Sequence, residues 1–172
     1  MIQTGYEGWT LLTYAASFNT NPDVIKTLVN YGVEVNDCDT DGWTPLMHAA
    51  FHNTNPDIIK ALIECGAYVN DRSNEDQTPL MYAASYSTEP AIIKVLVDAG
   101  AYVNARQLKS GMTPLMFAAQ YNSNFDVLNM LLDNGADVKA TDNLGNTALS
   151  YLKDNKAINN TVEYQRICDL LQ

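Results

Sequence analysis

The sequence contains only two histidines and three cysteines, and it has no long hydrophobic run. No stretch approaches the ~18 consecutive apolar residues that a membrane-spanning helix requires. Cys38, Cys65 and Cys168 are an odd number without short-range pairing, which argues against a disulfide framework and favours a reducing compartment. The first seven residues lack the basic start and apolar core of a secretion signal. We therefore expect a cytoplasmic protein without a membrane segment; the alternative is that a signal upstream of Met1 has been removed.

Motifs for catalysis and cofactor binding are also missing. No serine or cysteine lies in a recognisable nucleophile motif, and the glycines mark turns rather than a phosphate-binding loop. His48 and His52 lie four residues apart and could share a metal ion, but a working site needs a third and usually a fourth ligand. Only Cys38 and Asp41, in the preceding loop, are near enough in sequence to be candidates for these further ligands. We predict that the protein is not an enzyme and holds neither a metal nor a cofactor.

Positive charge is scarce, since 10 Lys and Arg stand against 20 Asp and Glu, for a formal net charge of −10. Residues 1–88 hold 11 of the acids and only 3 of the bases. Such a field repels phosphate backbones, so nucleic acid is an improbable partner and a protein with a basic patch is a better one. The alternative is that the acids only keep the protein soluble and monomeric.

One short phrase recurs five times along the chain, most completely as Gly42-Trp43-Thr44-Pro45-Leu46. Its threonines stand at 10, 44, 78, 113 and 147, which gives a period of 34, 34, 35 and 34 residues. A period of this length indicates a stack of small units, in which each unit contacts only its neighbours. The stack leaves a long open face and no deep pocket by default, so binding is a more natural function than chemistry.

Each unit carries the start and stop signals of two helices. Thr44 is a suitable N-cap and Pro45 fits the first helical position, so a short helix is predicted to end near His52. The segment 53–57 repeats the cap, proline and acid signals before a second helix with an apolar stripe. Gly66 ends that helix, most simply in the left-handed conformation that glycine adopts at little cost.

The pattern Thr-Pro-Leu-x-x-Ala-Ala, helix, turn, helix, Gly-Ala-x-Val-Asn resembles the ankyrin repeat over nearly all 172 residues. Two departures stand out. Met47, Met81 and Met116 replace the histidine that usually follows Thr-Pro-Leu, and the turns at 19–23 and 53–57 are one residue longer than usual, which suggests a bacterial type of repeat. The fifth repeat has a longer stretch between its helices, at 153–161, and its last helix is predicted to be a C-terminal cap.

The resemblance implies an all-α fold, a solenoid of stacked helix-turn-helix units with projecting β-turn or hairpin loops. It implies a single domain over residues 1–172, with repeats at approximately 5–38, 39–72, 73–107, 108–141 and 142–172. Its expected function is that of a monomeric, non-catalytic module that binds another protein. The alternative is an enzyme or metal-dependent protein that uses the scaffold for a small-molecule or metal site.

In the ankyrin family the loop tips and the exposed side of the first helix line the concave face. The resemblance therefore implies contacts from the residue before each threonine and from the two residues after each Ala-Ala. The partner-binding residues predicted at these positions, together with two acids of the loops, are Trp9, Phe18, Asp41, Trp43, Phe51, His52, Glu75, Gln77, Tyr86, Met112 and Tyr121. Large rings at such positions are typical of interface hot spots. The alternative is that the rings pack within the stack, or that Trp9 and Trp43 fold back over their own loops; Tyr31, Tyr68 and Tyr102 are expected to be structural.

Overall fold

A computed structural model describes residues 8–155 and 162–171 of the chain, and within them it contains ten helices and no strand. The first helix of each unit is α1 (Leu11–Phe18), α3 (Pro45–His52), α5 (Pro79–Tyr86), α7 (Pro114–Tyr121) or α9 (Ala148–Asp154). The second is α2 (Pro22–Asn30), α4 (Pro56–Glu64), α6 (Pro90–Asp98), α8 (Phe125–Asp133) or α10 (Val162–Leu170). The all-α repeat architecture predicted from the sequence is confirmed. The stretch 156–161, most of the long turn predicted in the fifth repeat, lies outside the described residues.

The predicted caps explain where the helices start. The hydroxyl of Thr44 accepts a hydrogen bond from the Met47 amide at 3.4 Å, and Thr10, Thr78 and Thr113 cap their helices in the same way. In the second helices, the side chain of Asn55 accepts from the Asp57 amide at 3.0 Å. Gly66 ends α4 with a φ of +96°. Each cap satisfies amides that the first turn of a helix leaves unpaired, so short helices of eight or nine residues become stable elements.

The helices form two layers. Successive first helices pack on one another, successive second helices do the same, and α10 packs on α8. The core lies between the layers, where Leu46, Ile58 and Leu62 have no exposed surface. Met47, Met81 and Met116 are also fully buried, which confirms that thioether packing replaces the usual histidine. Each buried Leu or Ile contributes roughly 2 kcal/mol, but only while the neighbouring repeat covers it.

The first helices pack more closely than the second helices do. The loops between repeats lead directly into the first helices, so the loops and the first helices lie on the same side of the stack. The loops are tight turns: the Gly42 amide donates to the Asp39 carbonyl at 3.0 Å, and the Asp39 amide donates to the Trp43 carbonyl at 3.1 Å. This is the side on which the sequence predicted the binding residues.

Buried asparagines connect each first helix to the next repeat. Nδ2 of Asn122 donates to the carbonyls of Ala84 and Ser87, at 2.9 and 3.0 Å, and so caps the end of α5 from the following repeat. Asn53 caps α1 and Asn155 caps α7 in the same way. Ser87 occupies this position in the third repeat, and its hydroxyl accepts from the Glu89 amide instead. The junction between the second and third repeats therefore lacks this cap.

Candidate protein-binding face

Four rings at equivalent positions lie exposed at the ends of successive first helices. We call Phe18, His52, Tyr86 and Tyr121 the aromatic row; all four side chains are exposed, and the exposed fractions of Phe18, Tyr86 and Tyr121 are 58%, 48% and 51%. The ring centroids of Phe18 and His52 are 5.6 Å apart, and those of Tyr86 and Tyr121 are 6.2 Å apart in a stacked arrangement. The rings are therefore exposed, and they also pack on the rings of neighbouring repeats, so both alternatives set out from the sequence hold in part. Their helical register leaves them at the open edge of each repeat.

Phe51 joins the two halves of the row. It is half-buried, and its centroid lies 4.5 Å from that of His52 and 4.4 Å from that of Tyr86. An aromatic surface therefore continues without a break from Phe18 to Tyr121. Pairs at these separations attract each other beyond the area they bury, so the rings hold one another in place before any partner arrives.

Trp9 and Trp43 are both half-buried and form the loop-side edge of this surface. The Trp9 ring lies 4.4 Å from His48 and 6.2 Å from Phe18. The Trp43 ring lies 5.3 Å from Phe51 and 4.0 Å from Tyr82 of the following repeat. Each tryptophan thus packs across a junction between repeats while keeping part of its ring accessible. The two alternatives set out from the sequence, packing and exposure, both hold for these residues.

Below the rings, the fourth residue of the first helix forms a hydrogen bond to the adjoining loop in the second, third and fifth repeats. Nε2 of His48 lies 2.8 Å from Oδ2 of Asp39, and the Tyr82 hydroxyl lies 2.8 Å from Oγ of Ser73. The hydroxyl of Tyr151 donates to Oδ2 of Asp142 at 2.5 Å. These contacts, together with the turns, place each loop tip at a fixed position beside the aromatic surface.

The electrostatics of these contacts follow from burial and local charge. Burial raises the pKa of Tyr82 to about 12, and the carboxylates of Glu75, Asp39 and Asp41 add to the rise. Burial also lowers the pKa of His48, and the hydrogen bond with Asp39 offsets this only in part. Both pKa shifts favour the uncharged forms of these two side chains.

The two histidines pack against other side chains of the first-helix side. Nε2 of His48 is engaged by Asp39, and Nδ1 has no hydrogen-bond partner among the described residues. The rings of His48 and His52 lie face to face with their centroids 6.2 Å apart. Within residues 8–155 and 162–171, no group of three His, Cys, Asp or Glu side chains is arranged to hold a metal ion.

The remaining predicted contacts divide by exposure. Asp41 and Glu75 are exposed at the loop tips, and Glu75 pairs with Lys109 of the next loop at 3.1 Å. Gln77 is half-buried. Met112 requires a correction, because only 7% of it is exposed. Its flexible thioether packs into the hydrophobic core instead of lining the face, so we exclude it from the candidate site.

Sequence reasoning missed two leucines at the loop tips. Leu108 and Leu144 are 77% and 86% exposed, on the loops of the fourth and fifth repeats. The available signal was an apolar residue in loop segments whose counterparts in the second and third repeats carry acids. The expectation for Tyr31, Tyr68 and Tyr102 was wrong, since they are 86%, 62% and 68% exposed where the chain leaves the second helices.

The fold and this face define an α-helical repeat solenoid with an open aromatic surface. Comparison with protein families gives a match to the model described as ankyrin repeats (3 copies), over residues 1–73 and 53–142. The chain belongs to the ankyrin repeat family. Ankyrin repeats are generally protein-protein interaction modules and are typically non-catalytic. No curated protein matches the sequence. In the described part of the chain, no helix has the length and apolar character needed to cross a membrane.

Proposed function

We propose that this protein is a non-catalytic module that binds a partner protein across its concave, first-helix face. The observation that carries the proposal is the unbroken aromatic surface from Phe18 to Tyr121. Rings held by their neighbours supply contact area at a small cost in side-chain entropy, and exposed rings in a row are unusual unless a partner covers them.

The acids at the loop tips support a partner with a basic patch. Asp41 and Glu75 are exposed beside the aromatic surface, where they attract positive charge at a distance. Such rim charges act mainly on the association rate, and their effect weakens with added salt. The rings, which the partner would bury on binding, act mainly on the dissociation rate. The same field disfavours nucleic acid. We further propose that the module works as a monomer in the cytoplasm, which agrees with the free thiols of Cys38, Cys65 and Cys168.

The face can be tested by affinity capture from a lysate of the native cell, followed by binding kinetics with the purified partner. Tyr86→Ala and Tyr121→Ala should raise the dissociation rate by about 30-fold or more, which corresponds to roughly 2 kcal/mol for a central aromatic anchor. Tyr102→Ala is a matched control, because Tyr102 is an equally large and exposed tyrosine at the end of a second helix. If the partner bound all three variants with the parent's kinetics, or only Tyr102→Ala weakened it, the proposed face would be wrong.

A further inference from the structure

The loop tips differ in charge along the stack. Residues 34–43 contain Glu34, Asp37, Asp39 and Asp41 without any Lys or Arg, and residues 67–77 contain three acids and one arginine. The next loop, residues 101–112, reverses the sign: it holds Arg106 and Lys109 and no acid. The pattern of the tips therefore changes between the third and fourth repeats.

Apolar tips begin where the acidic tips end. Leu108 and Leu144 are the two most exposed leucines of the described residues, at 77% and 86%, and they lie on adjacent loops. Leucines this exposed on rigid tips keep apolar surface in water, and a partner with apolar side chains would remove that surface from water.

Hydrogen bonds between loops keep these tips in a fixed row. The Asn74 amide donates to the Asp41 carbonyl at 3.0 Å, and the Leu108 amide donates to the Asp76 carboxylate. The Asn143 amide donates to the Ser110 carbonyl at 2.9 Å. The loop tips of the second and third repeats are therefore acidic, that of the fourth is basic and carries a leucine, and that of the fifth carries a leucine. This order is a property of the rigid surface and does not depend on the partner.

Resting on the proposed function, we infer that the partner offers an extended bipartite segment, with Arg or Lys over the second and third repeats and large apolar side chains against Leu108 and Leu144. Charge complementarity fixes the basic end, because the acids of residues 34–43, with Asp41 exposed, attract cations, while Arg106 repels them from the loop of the fourth repeat; Lys109 is compensated by its ion pair with Glu75. The same repulsion fixes the orientation: the reversed segment would place its cations beside Arg106.

The spacing of the repeats sets the length of the segment. Neighbouring helices lie about 10 Å apart. Two repeats separate Asp41 from Leu108, and two separate Glu75 from Leu144, so each acid lies about 20 Å from its leucine. An extended chain advances about 3.3 Å per residue, so about six residues separate the basic and apolar parts. The recognition unit is therefore shorter than a folded domain and fits a loop or an unstructured tail of the partner protein.

Selection from a library of random peptides of about 16 residues, displayed on phage, tests this inference with a defined probe. We expect enriched peptides to carry Arg or Lys on one side and Leu, Ile, Phe or Met about six positions away. The dissociation constant of a labelled selected peptide should then rise about tenfold for Asp41→Asn with Glu75→Gln at low ionic strength. It should rise about tenfold for Leu108→Ser with Leu144→Ser at any ionic strength.

Two control variants match these changes away from the tips. Asp23→Asn with Asp57→Asn removes the same charge from exposed acids at the starts of second helices, and Leu170→Ser removes an exposed leucine from α10. Neither should change peptide affinity more than about twofold at the salt concentration used for the tip variants.

The outcomes separate this inference from the proposed function. If selected peptides bind and Tyr86→Ala weakens them, but the tip variants match the parent, the bipartite inference is overturned and the binding face stands. Tip variants that weaken binding while Tyr86→Ala does not would support the bipartite segment and remove the aromatic row from the site. Absence of enrichment over an unrelated target would overturn the inference of a linear bipartite segment, and the proposed binding face would stand or fall by the capture experiment.

Discussion

Replacing Ser87 with asparagine should stabilise the protein, because it adds the one inter-repeat helix cap that the stack lacks among its described repeats. At the equivalent position Asn122 donates two hydrogen bonds to carbonyls of the preceding repeat, at 2.9 and 3.0 Å, and its Oδ1 accepts from the Asn124 amide at 2.8 Å. For Ser87→Asn the corresponding acceptors are the carbonyls of Ala50 and Asn53 at the end of α3. No side chain in the described residues donates to either carbonyl.

The expected gain follows from these hydrogen bonds. Two new bonds to helix-terminal carbonyls contribute about 0.5 to 1.5 kcal/mol each. Ordering the longer side chain costs up to about 1 kcal/mol, so the net gain is about 1 kcal/mol. For a chain of this size that corresponds to a rise of about 2 to 4 °C in Tm. The reverse change, Asn122→Ser, should cost about 2 kcal/mol, because it leaves two buried carbonyls without partners.

Thermal and urea unfolding followed by circular dichroism would measure both changes, and amide hydrogen exchange should show slower exchange at the end of α3 in Ser87→Asn. Thr88→Asn is the matched control, since it places the same amide on the exposed neighbouring residue and should leave Tm unchanged. If Ser87→Asn melted at or below the parent's temperature, the reasoning that these asparagines stabilise the junctions as caps would be refuted.

Four further substitutions test the packing, the turns and the electrostatics. Leu62→Asp places a charge in the core and should cost about 4 kcal/mol or abolish folding, as seen in a urea titration; an unchanged midpoint would contradict its burial. Gly66→Ala, at φ +96° with open space around the new Cβ, should cost about 1 kcal/mol. Gly42→Ala should cost about 3 kcal/mol, because its Cβ would lie 2.7 Å from Oδ1 of Asn74. Equal losses in Tm for the two variants would contradict the clash. Burial tends to raise the pKa of Asp142, but hydrogen bonds from Tyr151 and nearby amides hold it at about 2. Because the unfolded value is ~3.9, this carboxylate stabilises the fold above pH ~4 and the stabilisation is lost as the pH falls toward 2, so Tyr151→Phe should unfold at a higher pH in an acid titration.

The helices and the exposed row were predictable because both depend on local, repeated signals. Thr44 with Pro45 fixes the start of α3, and a position counted from such a start has the same environment in each repeat. That is why Tyr86 could be assigned to the open face before its contacts were known. The burial of Met112 was not predictable in this way. Whether a flexible side chain beside a loop is buried or exposed depends on whether the core has room for it.

Leu108 shows a second limit of the sequence pattern. It lies in the one loop that carries an extra residue, where the threonine spacing lengthens to 35, and the insertion changes which residue reaches the tip. Its amide bonds to the Asp76 carboxylate, a contact between residues 32 apart that no local signal encodes. Asp76 itself has a φ of +61° where the other repeats have glycine at the same place in the turn. The charge of the surface was readable from composition, but its order along the tips required the loop geometry.

The buried asparagine caps all run in one direction, from a side chain of a later repeat to carbonyls of an earlier one. The end of α1, for example, is closed by Asn53, which lies 37 residues beyond Ala16 in the chain. During synthesis on the ribosome, a first helix that is capped in this way therefore acquires its final hydrogen bonds only after the first helix of the following repeat has been made. The newest unit of the growing protein is always the least protected one, so a pause in translation should expose a single unfinished helix pair to proteases or chaperones and leave the units already closed intact.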